Sequence, residues 1–511
     1  MLALASLHVA KLQNGPITAS LKHYAISLRR IAKSVGSPSR RGQPATLAAS
    51  MLLAFYECWC ADHQKWSNHL LGAKQLVREI DFAGMTKHIK SMKEQQRREE
   101  RERKFQAQYQ GGFYEDRTRF QAIVEDVDEN IVGMLMGKKL RYDQYGRIMD
   151  EDSPDNGSGR AYTQRELEIY ETQRDLFWWY CKQDVYQSIL GGGRLLYDSL
   201  AHVLSTLLTV CQYGIRSVES LSTPSAARPS ELNVRTFSLT FAFSQANITR
   251  YGTFDHLILL MGRLAEFMSK DIKRKRLTMK ANGGWRPPGM PAQQNQFQMP
   301  QQQSQMPQMP SFSGMVPGVG PPKLPMGFEQ TCRSESPQSD DSNGMDLDAL
   351  RIEAEEEWQE IHNAFSILED HFGEDFQALG PEFSSPIQTP FGTALQYRTY
   401  GIAGIWMNFY MALIACHRAH PSMPPAAMMA AGIASRQTAS FANMLGRIAA
   451  GIEPDCSTMT QVSPGVGAAL IESSTCLFVA GVQVSHLLAS VLRMILTLAV
   501  PKRSTARMDS Q

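Results

Sequence analysis

Apolar side chains recur along this chain three and four positions apart, broken at intervals by polar, glycine-rich or proline-rich stretches. That rhythm predicts helices. Leu2, Leu4, Ala5, Leu7 and Val9 open the first, and Leu21, Tyr24, Ala25, Leu28 and Ile31 make one stripe of a second over 17–35. After a turn at 37–44, Leu47, Met51, Leu52, Phe55 and Tyr56 form a third stripe, and Trp66, His69, Leu70, Ala73 and Val77 a fourth. Residues 1–84 therefore read as helical hairpins in two antiparallel pairs. Solenoid scaffolds are built from such hairpins, but no strict repeat period accompanies these.

The rhythm stops over 85–162, a charged and polar insertion. Its first part, 87–104, alternates Lys93, Glu94, Arg97, Arg98, Glu99, Glu100, Arg101, Glu102 and Arg103, and 142–159 is a loop rich in Asp, Asn and Gly. The interspersed glutamates cancel the field that phosphate binding would need. Helices resume over 163–280, a block dense in aromatic and branched side chains, with segments at 163–190, 195–213, 231–251 and 255–269. About half of residues 281–331 are Pro, Gln or Met, so 281–348 reads as a disordered linker unable to bury enough surface to offset its ordering entropy. Beyond it, 349–500 returns to helices, first with Trp358, Ile361, Phe365 and Leu368 on one face, then over 389–417, 424–452 and 466–500. Residues 501–511 are a tail. No segment predicts a strand. The fold expected is all-α: two lobes of antiparallel helical hairpins joined by a disordered Pro/Gln/Met-rich linker, the lobes free to pack into one body.

Composition changes this picture little. The 511 residues are 43% hydrophobic and 20% charged, with a formal charge of +2, so the chain as a whole has no electrostatic reason to bind nucleic acid. The first ten residues lack the pattern of a secretion leader, and an intracellular place is expected. The most membrane-like run, 476–500, is interrupted by Gln483, Ser485, His486 and Arg493, and reads as a buried helix rather than a membrane span. The eight cysteines, at 58, 60, 181, 211, 332, 416, 456 and 476, lie mostly in apolar segments, as reduced core residues do.

Arrangements that would carry chemistry fall short. Gly133 and Gly137-Lys138-Lys139 approach a phosphate loop, but the glycines are one residue too close and the following hydroxyl is missing. Gly191-Gly192-Gly193 is a helix stop. Cys416, His417 and His420 offer too few ligands for zinc, and no second cluster supplies the rest. Cys58 and Cys60 point in different directions on a helix. No catalytic residue, metal site, cofactor or enzymatic activity is expected.

Two features have positive content. Lys273, Arg274, Lys275 and Arg276 are consecutive cations at the end of a predicted helix, beside the linker. They suit an acidic import receptor, and equally a helix C-terminus that favours cations. Asp346, Leu347, Asp348 and Leu350 continue an acidic and apolar alternation from Asp340 and Asp341, the composition of an activation segment. The plainer reading, which we favour, is a solvated approach to the next helix.

Several phrases together resemble the regulatory region of fungal zinc-cluster transcription factors. Tyr24-Ala25 with Leu28 is similar to its opening, as are Leu52-Leu53-Ala54-Phe55-Tyr56-Glu57, Trp66, His69-Leu70 and Gly72-Ala73. The run from Asp175 through Trp178-Trp179-Tyr180 to Tyr186 resembles its aromatic helix, and Asp255-His256 to Leu264 extends the likeness. The resemblance implies a nuclear regulator of RNA polymerase II genes. Its partners would be the transcription machinery or other regulators, with a homodimer as one assembly, DNA reached only indirectly, and no membrane. The family's zinc belongs to an N-terminal six-cysteine module that reads DNA. This sequence starts inside the helical region, so no residue here inherits a zinc-ligand or base-reading role. The alternative is a cytoplasmic helical scaffold.

Overall fold

The computed structural model describes residues 1–80, scattered positions between 82 and 103, 164–196, 253–281, 346–452 apart from 371 and 384, and 464–481. The expected linker up to residue 345, most of the insertion, the helices expected near 197–213, 231–251 and 482–500, and the tail lie outside them.

Apart from one two-stranded hairpin and a single 3-10 turn, the described elements are α-helices, as the sequence predicts. They are α1 (Leu2–Leu12), α2 (Thr18–Val35), the single turn α3 (Pro38–Arg41), α4 (Pro44–Trp59), α5 (His63–Arg78), α6 (Gln164–Gly191), α7 (Thr253–Ala281), α8 (Leu347–Asp370), α9 (Tyr400–Ala419), α10 (Ala427–Ile452) and α11 (Pro464–Gly481). Local chemistry sets several boundaries. Asp62 caps α5 by accepting the Lys65 backbone N–H at 3.0 Å, and Thr399 caps α9 through the Ile402 N–H at 3.2 Å. Helix α6 ends where the triple glycine said it would: Gly192 has φ +63, and its N–H donates to the Ser188 carbonyl at 2.8 Å.

Three expectations need correction. The helix foreseen over 389–417 begins only at Tyr400, because Pro390 and Gly392 (φ +106) turn the chain into a small antiparallel hairpin of β1 (Gln388–Thr389) and β2 (Gly392–Thr393). The turn at 37–44 contains α3, with Pro38 at its first position. Helix α7 runs on to Ala281 instead of stopping near 269, for a reason that lies in its basic residues.

The lobes are not separate. Helices α4 and α5 pack on α6, α6 on α7, α7 on α8 and α9, and α9 on α10 and α11, so one apolar cluster extends from Val35 to Ala480. Helix α6 sits at its centre. Phe177, Trp178 and Tyr180 are buried on it together with Lys182, Gln183, Asp184 and Gln187, which explains why its sequence shows no amphipathic stripe. The buried polar groups are used in pairing. Ser67 on α5 donates to Gln187, Tyr186 donates to Asn408 on α9, and Lys182 meets Glu472 on α11 at 2.9 Å.

Candidate functional site

The first place where polar groups converge lies inside the N-terminal helices. Tyr24 of α2 stacks on Tyr56 of α4, ring centroids 4.5 Å apart, and its hydroxyl is 2.8 Å from Nε2 of His69 on α5. Tyr56 reaches Ser20 at 2.9 Å, and Ser20 donates to the Ala3 carbonyl at 2.8 Å, tying in α1. Glu57 lies beside Tyr24, its carboxyl raised by burial. The Tyr24 hydroxyl and His69 Nε2 share one hydrogen bond, whose direction follows the histidine tautomer. Burial pushes His69 down to about 4, so the ring is neutral at pH 7, and burial raises the Tyr24 phenol. Every member is titratable or hydrogen-bonding, and the cleft of about 160 Å³ that adjoins it at Ala3 and Tyr56 is lined mostly by apolar side chains. The network fixes four helices in one register.

The second convergence is where α7, α8 and α9 meet. Asp271 ion-pairs with Arg274 at 2.5 Å and Lys275 at 3.0 Å. Arg274 also donates to the Pro421 carbonyl at 2.9 Å, and Lys275 to the Ala419 carbonyl at 2.8 Å. These two cations therefore cap the C-terminal end of α9 from a neighbouring helix, where free carbonyls attract positive charge. Burial lowers Lys275 despite the facing Asp271. Nearby, Trp358 of α8 donates its indole N–H to the Cys416 carbonyl at 2.9 Å and is ringed by His362, His417 and His420. His420 pairs with Glu355 at 3.0 Å. Burial holds all three histidines below their ordinary value.

The structure thus separates the four predicted import residues. Arg274 is buried and Lys275 nearly so, both spoken for inside the fold, while Lys273 and Arg276 face outward with Lys270 and Lys280. A run of four cations presented together is absent from the folded helix, and the pairing of the inner two is what carries α7 past 269. The acidic candidates are also placed. Asp346 is the cap of α8, accepting the N–H groups of Asp348 and Ala349 at 3.0 and 3.2 Å, and Leu347, Asp348 and Leu350 form its first turn. Met345 and the residues before it lie outside the described residues.

Cys416 is buried on α9 with its thiol raised to about 12, and Cys58 is raised to about 11, both by burial. Among the described residues no group of His, Cys, Asp and Glu could hold a metal ion, and no helix is long and apolar enough to cross a membrane. Sequence reasoning missed both polar convergences. Tyr24, Tyr56 and His69 are legible as positions on helical stripes, but their pairing needs the crossing of three helices. Asp271 gave no signal beyond its spacing, three and four residues ahead of Arg274 and Lys275.

Among the described residues the body is helical apart from one small hairpin, and its buried polar groups join one helix to another. Residues 1–108 match the family model of the fungal specific transcription factor domain. Over that stretch the match bears out the resemblance carried by Tyr24-Ala25, Leu52 to Glu57, Trp66 and His69-Leu70, and four of those residues, Tyr24, Tyr56, Glu57 and His69, meet in the network above. The matched family is a transcription-factor domain, not an enzyme class. No curated protein and no solved structure matches the chain.

Proposed function

We propose that the chain is a nuclear regulator of RNA polymerase II transcription that works by contacting other proteins rather than by reading DNA with these 511 residues or by catalysis. The match of residues 1–108 carries the reading. The sequence supports the indirect route: its eight cysteines are scattered, with no six at the close spacing of a zinc cluster, so base recognition would come from a partner or from chain beyond this sequence. The helical body would hold transcription machinery or other regulators. The outward cations of α7, Lys270, Lys273, Arg276 and Lys280, would be what an import receptor meets.

The second reading is a cytoplasmic helical scaffold, favoured by the internal use of Arg274 and Lys275. A fluorescent fusion and a tethering assay decide between the two. Fused to an unrelated DNA-binding domain, the chain is expected to change reporter output and to sit in the nucleus. A fusion that stays cytoplasmic and leaves the reporter unchanged removes the nuclear reading.

A further inference from the structure

The first 56 residues contain seven Lys and Arg and no Asp or Glu; the first acid is Glu57. Four of the cations, Lys22, Arg29, Arg30 and Lys33, stand exposed on α2, and among the described residues they form no ion pair. Lys22, Arg29 and Lys33 fall along one ridge of the helix, at i, i+7 and i+11. Leu21 and Leu28, 48% and 38% exposed, flank that ridge on one side. Arg30 lies on the other side, at the lip of an apolar cleft of about 160 Å³ between α1, α2 and α4, lined by Met1, Leu4, Ile31, Leu52 and Leu53.

We propose that this cleft and ridge are a docking site for an acidic amphipathic helix of a partner protein. An apolar side chain of the partner would enter the cleft, and carboxylates on its flanks would face Arg30, Arg29, Lys22 and Lys33. Positive charge of this density, without an ion pair among the described residues, attracts an anion. The apolar cleft and the exposed leucines select a peptide over a nucleic-acid backbone, which offers no apolar group to fill them. The chain's own acidic helix is not the occupant, because the apolar face of α8 (Trp358, Ile361, Phe365, Leu368) is already buried against the rest of the core. The inference gives a chemistry to the partner that the regulatory reading calls for, and it rests on that reading only for its cellular setting.

The test uses the intact chain and a fluorescent 16-residue probe with Leu and Phe at i, i+3, i+4 and i+7 and Asp or Glu elsewhere, followed by anisotropy. Saturable binding is expected that weakens about tenfold in Arg29→Glu/Arg30→Glu, weakens as strongly when the probe is scrambled at constant composition, and falls as salt is raised. Leu4→Gln, verified as folded by circular dichroism, is expected to weaken binding with little change in salt dependence. The proposal is overturned if the scrambled probe binds equally, if neither variant affects binding, if a DNA duplex binds the same face more tightly than the probe, or if the face proves to be a self-association surface that Arg30→Glu disrupts. Absence of binding overturns the proposal as well, and leaves the regulatory reading to its own reporter and localisation results.

Discussion

The indole of Trp358 and the carbonyl of Cys416 are joined by a 2.9 Å hydrogen bond that locks α8 across α9. The carbonyl lies in the last turn of α9, where no intrahelical donor remains, so the tryptophan satisfies a group the helix leaves open while its ring fills the space among three histidines.

Removing the two contributions separately should resolve them. Trp358→Phe keeps most of the apolar volume and loses the donor, with an expected cost of about 1–2 kcal/mol; Trp358→Ala also leaves a cavity and is expected to cost about 3–5 kcal/mol. Chemical denaturation followed by far-UV circular dichroism measures both. Equal losses would mean that the hydrogen bond contributes nothing.

Asp271 faces two buried cations, so Asp271→Ala is expected to destabilise the chain by about 3 kcal/mol or more, as unpaired buried charges do. Lys273→Ala and Arg276→Ala, on the outward face of the same helix, should shift the melting temperature by a degree or two at most. Comparable losses at all three positions would show that the inner pairing is not what holds this stretch of α7.

Burial lowers His69 to about 4, below the ordinary value near 6.5 that the unfolded chain restores. Between those values the unfolded state binds the extra proton, so stability is complete above about pH 6.5 and declines as pH falls toward 4, by about 3 kcal/mol. The histidines around Trp358 are lowered too and act in the same direction. His69→Gln is expected to flatten the acid limb of a stability-against-pH curve. An unchanged limb would place the acid sensitivity elsewhere.

Gly451 lies in the last turn of α10, where alanine is ordinarily the better helix former by about 1 kcal/mol. Here a Cβ would stand 1.9 Å from the Leu395 carbonyl oxygen, and one at Gly446 would stand 2.5 Å from the Phe391 ring. Both changes to alanine are expected to destabilise, by about 1–3 kcal/mol, and the sign alone decides. A raised melting temperature would mean that the 394–396 backbone can move aside.

The helices of the two lobes were legible because their stripes are local. Leu21, Tyr24, Leu28 and Ile31 announce α2, and Trp358, Ile361, Phe365 and Leu368 announce α8. Helix α6 was found by its aromatic density, although its buried Lys182 and Asp184 erase the two-faced pattern that usually identifies a helix. The start of α9 was misjudged because apolar residues between 389 and 399 continue the rhythm while Pro390 and Gly392 break the backbone. The polar convergences were not legible, since Tyr24 meets His69 and Asp271 meets the end of α9 only through tertiary packing. The basic cluster shows the same limit: four adjacent cations look alike in sequence, and only the neighbouring helix ends distinguish the inner two from the outer two.

The contact between Tyr186 and Asn408 joins residues 222 positions apart. On the ribosome, at roughly 5–20 residues per second, roughly ten to forty-five seconds separate the emergence of α6 from that of the helix it needs. During that interval α6 has α4, α5 and then α7 to pack on, but Tyr186 lacks the acceptor it meets on α9. The buried hydroxyl of Tyr186 is therefore satisfied only after most of the chain has been made, so the interior of this body closes late in synthesis.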